Sequence, residues 1–107
     1  MTTQEIPVAC VLEAIPETQR DLHESTSRAL FTQFTESQEL DNGYQFTFSA
    51  DLLLPLAQFI ALERLCCPFW DFALHIPPGS DQVVLTLSGG DGVKGFFAET
   101  YQEVTGS

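Results

Sequence analysis

The sequence predicts an α+β fold: a small, mainly antiparallel sheet with helices packed chiefly on one face, in the order β-α-(β)β-α-β-β-α. Three observations predict it. The segments "DNGYQFTFS" and "DFALHIPPGSDQVVLTLS" alternate apolar with polar residues and are broken at turn residues, as antiparallel hairpins are. Three other segments carry apolar residues at helical spacing between and after those strands. At 107 residues the chain fits a single domain, residues 1–107, with 44% hydrophobic and 11% aromatic residues to fill one core.

Each element has its own reason. Residues 8–12, "VACVL", are short, apolar and β-branched, which predicts the first strand. In "IPETQRDLHESTSRALFTQF", Pro16 suits a first helical turn and acidic Glu17 lies beside it. Leu22, Thr26, Ala29, Leu30 and Phe34 then make the buried stripe, which leaves His23 on the helix surface with Glu24 and Arg28. Asp41-Asn42-Gly43 signals a turn, because Asn and Gly tolerate positive φ. Tyr44, Phe46 and Phe48 alternate with Gln45, Thr47 and Ser49, and a partner strand near Glu36 to Leu40 completes the hairpin.

The second helix is predicted from about Leu54 to Cys67, with Pro55 tolerated in the first turn and Pro68 discouraging continuation. After Pro55 its polar positions are Gln58, Glu63 and Arg64, which share no face. A helix so apolar must be covered on more than one side, and a second copy of the chain could supply that cover as a homodimer. Phe72, Leu74 and Ile76 and then Val83, Leu85 and Leu87 form the next hairpin around Pro77-Pro78-Gly79-Ser80. "GGDG" ends the last strand, Asp91 can cap, and Val93, Phe96, Phe97, Tyr101 and Val104 give the final helix its stripe.

Charge excludes several functions. Lys and Arg total 4 against 15 Asp plus Glu, a formal net charge of -11. Arg20, Arg28, Arg64 and Lys94 are scattered, so neither nucleic acid nor an anionic membrane has a cationic patch to bind. The opening "MTTQEIPVAC" has no basic and apolar leader pattern, and no apolar run is long enough to span a bilayer. The expectation is a soluble, cytoplasmic protein. "SGGDGVKG" lacks the G-K-[ST] ending of a phosphate loop, and Asp91 would repel phosphate. His23 and His75 have no serine or acid at catalytic spacing, so no catalytic residue is assigned and the chain reads more as a non-enzyme.

The chemistry rests on "ERLCCPFW". Cys10, Cys66 and Cys67 are an odd number without a C-x-x-C pair, so reduced thiols are the default. At a helix end, Cys66 and Cys67 project about 100° apart, and whether they face one point depends on how the last turn unwinds. If Cys10 converges with them, the thiolates suit a soft ion: Hg, Cu or As species, or Zn with a fourth ligand. Glu63 lies on their side of the helix as an auxiliary oxygen, and His75 is the nearest histidine in sequence. The competing reading treats all three cysteines as small buried hydrophobes. A nucleophilic or redox thiol is disfavoured, because a helix C-terminus in an acidic chain opposes the thiolate.

Several segments together resemble a family of small, mostly uncharacterised bacterial proteins. They are "ACVL", Arg20, "LDNGYQFTF", "ALERLCCPFWDFAL" and "LTLSGGDGVKGFF", and they run in the same order over most of the chain. The departure is at Ser88-Gly89-Gly90-Asp91-Gly92, where the family often has Thr-Gly-Pro-Glu-Gly. The family's pattern carries cysteines at the positions of Cys10, Cys66 and Cys67, and its members occur beside metal-responsive or mercury-resistance genes. The resemblance implies that the three thiols belong to one site. It implies no reaction.

Two function classes follow. The first is a small cytosolic protein that binds a thiophilic metal or metalloid ion through Cys66 and Cys67, with Cys10 as third ligand. The alternative is a structural or interaction module, in which the cysteines are core and the second helix with Phe69 and Trp70 forms a homodimer or partner surface.

Overall fold

Residue alternation along three strands places one apolar face on one side of the sheet. The computed structural model describes residues 11–100. Helices α1 (Glu17–Leu30), α2 (Leu53–Cys66) and α3 (Val93–Thr100) accompany strands β1 (Glu36–Leu40), β2 (Gly43–Ser49), β3 (Asp71–His75) and β4 (Gln82–Ser88). The strands form one antiparallel sheet in the order β1-β2-β4-β3. Tyr44 faces Leu87, Phe46 faces Leu85 and Phe48 faces Val83 across β2 and β4, and all six are buried. Phe72 and Leu74 of β3 extend the same face through Leu87 and Leu85. Complete burial of each such side chain stabilises the fold by roughly 1.5–3 kcal/mol. The other face carries Gln45, Thr47 and Thr86, and Gln45 Nε2 donates to Thr86 Oγ1 at 3.3 Å. This is the α+β architecture that the sequence predicts.

The start of the chain differs in detail. Residues 8–10 of the expected first strand lie outside the described residues, Val11 is irregular, and Leu12–Ala14 make a 3-10 turn. The Val11 N–H explains this, since it donates to the Cys66 carbonyl at 2.6 Å and ties the segment to the end of α2. Arg20 holds that turn from α1, with Nε donating to the Ile15 carbonyl at 3.0 Å. The β1–β2 turn also forms without positive φ, which among the described residues occurs at Gly79 and Gly92. Gly43 is needed for a different reason, because a Cβ there would strike the Leu87 backbone carbonyl.

Helix α1 is rotated by about one residue (~100°) from its predicted stripe. His23, Ser27 and Leu30 are buried, whereas Leu22 is 64% exposed. His23, predicted on the surface, therefore points into the molecule. Both polar residues on that face are satisfied: Ser27 Oγ donates to the His23 carbonyl at 2.7 Å, and His23 finds a carboxylate on α2.

Behind the sheet the core is largely aromatic, with Phe31 at its centre between Phe46, Phe48, Phe59 and Phe97. Phe69 and Trp70 belong to this core. Phe69 packs against Phe96 and Trp70 against Phe97, so they do not form the external surface suggested by the alternative reading. Helix α2 buries Leu56, Phe59, Glu63 and Cys66 but leaves Leu54 75% exposed. One side of that helix is thus covered within the chain and the other is open. Of the predicted α3 stripe, Val93 and Phe97 are buried, Phe96 is partly buried, and Tyr101 and Val104 lie outside the described residues.

Candidate metal centre

The buried face of α2 ends in chemistry. Glu63 and Cys66 lie three residues apart and so share a face. His23 comes down on them from α1. Its Nε2 lies 2.7 Å from Glu63 Oε2, and its ring stacks on Phe59 with centroids 5.8 Å apart. His23, Glu63 and Cys66 offer one nitrogen, one oxygen and one sulfur within 4.8 Å of one another, and all three residues are buried. The pair already satisfies itself, for among the described residues no buried side-chain nitrogen or oxygen lacks a partner.

The helix ends at Cys66, with Cys67 as its cap at φ -126 and ψ 69. That change of backbone direction answers the question raised by neighbouring cysteines. Instead of diverging, their sulfurs lie 3.4 Å apart, both buried. Their states differ. Cys66 is a free thiol, whereas Cys67 is disulfide-bonded.

Burial pushes the Cys66 thiol up from the ordinary 9.0 to about 12, and the Glu63 carboxylate beside it adds to the shift. A nucleophilic cysteine needs the opposite, a cationic and partly exposed setting. Stability follows from the sign. Folding favours the protonated thiol, so this contribution is complete below about pH 9 and is lost as pH rises through about 12. Between those values the wild type is expected to lose more stability than Cys66→Ala, as measured by urea unfolding at stepped pH. Parallel profiles would show that the thiol ionises equally in the folded and unfolded states.

The sequence-predicted site residues separate into three groups. Glu63, Cys66 and Cys67 come together. Cys10 lies outside the described residues. His75 is exposed on β3, opposite Val84 and out of phase with the partly buried Leu74, so the sheet stands between it and the helices. The histidine at the site is His23, which sequence reasoning placed on the surface. One signal was available: His23, Ser27 and Leu30 keep helical spacing as well as Leu22, Thr26 and Ala29 do, but apolar count favours the latter set.

The fold and site define a small α+β protein with a buried His–Glu–Cys cluster beside a second cysteine sulfur. No protein-family model, curated protein or solved structure matches the chain. Among the described residues, no helix is long and apolar enough to cross a membrane.

Proposed function

We propose that the protein, with its cysteines reduced, binds a thiophilic metal ion at this cluster, with His23 and Cys66 as ligands, Glu63 as the oxygen donor and the Cys67 sulfur beside them. The observation that carries the reading is convergence: donors from α1, α2 and the α2 cap meet in one buried place. The sequence suggested a thiolate set of Cys10, Cys66 and Cys67, with Glu63 and His75 as auxiliary residues. A mixed set of imidazole, carboxylate and thiolate fits Zn(II) better, while the paired sulfurs keep the site open to Hg, Cu or As species.

The distances support small adjustments. In a tetrahedral zinc site with Zn–S of about 2.3 Å and Zn–N of about 2.0 Å, neighbouring ligand atoms lie ~3.3–3.8 Å apart. The His23–Glu63 contact of 2.7 Å falls short of that range, and the sulfur contact of 3.4 Å lies within it. An ion between His23 and Glu63 would spread that contact by about half an ångström. Cytoplasmic binding, for sequestration or delivery, suits a site whose ligands are thiolates.

Native mass spectrometry of the reduced chain tests this with two ions. Wild type is expected to hold one Zn(II) and one Hg(II) per chain against a small competing thiol. His23→Ala is expected to lose Zn(II) but keep Hg(II), which two sulfurs suffice to hold. The Cys66→Ser, Cys67→Ser double variant is expected to lose both. Equal, strippable binding in all three proteins would sink the reading. It would favour the alternative of an interaction module, for which the exposure of Leu54 and Leu65 on α2 speaks.

A further inference from the structure

We propose that the cleft between the end of α2 and the start of β3 is a second site, which binds the anionic form of a small apolar carboxylic acid with Arg64 as its anchor. The inference stands apart from the metal reading and uses none of its ligands. Ile60 and Arg64 are four residues apart and share a face of α2, and Arg64 projects about 100° around the helix from Glu63. Their face opens on a cleft of about 710 Å³, which Trp70 and Phe72 wall from the other side. Small-molecule sites occupy roughly 300–1,000 Å³ and combine such apolar walls with a few polar groups.

Charge selects the ligand. Of the chain's four cations, Arg20 is bonded to the Ile15 carbonyl, Arg28 to Glu24 and Lys94 to Glu39. Arg64 has no hydrogen-bond or ion-pair partner among the described residues, and it is the cation that lines the cleft. Asp71 lines it too, but it alternates with Phe72 along β3, so its side chain belongs to the face of the sheet opposite the helices. A guanidinium holds a carboxylate through two parallel hydrogen bonds, and the aromatic walls take an apolar body. A bare anion leaves those walls unused, and a neutral apolar molecule leaves Arg64 unused. One cation in a chain of net charge -11 balances the single charge of a carboxylate better than the double charge of a phosphate ester.

Trp70 is the single tryptophan of the chain and lines the cleft, so its fluorescence reports occupancy. The metal-free full chain is titrated with 3-phenylpropionate, with its neutral amide and with acetate. The acid is expected to change the emission saturably and to bind about 10–100-fold more tightly than either comparison compound, the range a hydrogen bond to a charged group supplies. Arg64→Gln is expected to bind the acid no better than wild type binds the amide. Arg28→Gln, which removes the same charge from α1 outside the cleft, should bind the acid as wild type does. Both arginines are exposed, so neither change touches the core, and urea midpoints check that both variants fold. Equal binding of acid and amide, or of acid and acetate, would overturn the site. So would equal losses in the two variants, which mark an effect of net charge, or the absence of a saturable signal by fluorescence and calorimetry alike. None of these outcomes bears on whether the cluster at His23 holds a metal.

Discussion

His23→Ala is expected to destabilise the protein by about 3–5 kcal/mol, the cost of breaking a buried pair by removing one partner. The argument starts at Glu63, which is 4% exposed and whose Oε2 meets His23 Nε2 at 2.7 Å. Without the imidazole, the Glu63 carboxyl group remains in the interior with the weakly donating Cys66 thiol beside it. Burying a polar group that has lost its main partner is costly. The substitution also removes a ring that stacks on Phe59, which leaves a void between α1 and α2. The Glu63→Ala variant removes the other half of the pair, and the double variant removes both. Urea unfolding of the four proteins should then give a coupling of about 0.5–3 kcal/mol, with the double variant more stable than the two single losses would sum to. A His23→Ala loss below about 1 kcal/mol would place the pair with exposed ion pairs and mean that water reaches Glu63.

That pair also shows where the sequence stops being legible. Strands β2 and β4 could be read because their alternation has period two and each inward residue is apolar: Tyr44, Phe46 and Phe48 against Val83, Leu85 and Leu87. The boundaries of α2 followed from Pro55 and Pro68, whose covalent constraints act locally. Helix α1 was read one residue out of phase because the usual inference sends a histidine outward and a leucine inward. Here the exchange is tolerated because His23 meets Glu63, a residue 40 positions away along the chain. A buried polar residue is betrayed by its partner, and the partner is set by tertiary packing. The cysteines present the same limit. That Cys66 and Cys67 share a point depends on the backbone angles at the cap, which residue type alone does not specify.

Phe31→Ala is the second large effect, with an expected loss of about 3–5 kcal/mol. Phe31 caps the C-terminal end of α1 and is 4% exposed. Its ring meets four others edge-on, at centroid distances of 5.2 Å to Phe46, 5.4 Å to Phe59, 6.2 Å to Phe48 and 6.3 Å to Phe97. Edge-to-face pairs contribute about 0.5–1.5 kcal/mol each beyond burial, so truncation removes several contacts and opens a cavity among rigid rings. Phe31→Leu keeps most of the volume and should cost less than half as much, as seen in the urea midpoints of the two variants. The same variants separate core from site. Phe59 touches Phe31 on one side and His23 on the other, which makes it the physical link between the aromatic cluster and the metal ligands. If that link positions His23, Phe31→Ala should weaken Zn(II) binding by the reduced chain while sparing Hg(II), which needs only the paired sulfurs. If Zn(II) affinity is unchanged at the lower stability, His23 is oriented by its bond to Glu63 alone, and the site is a property of the α1–α2 contact rather than of the core beneath it.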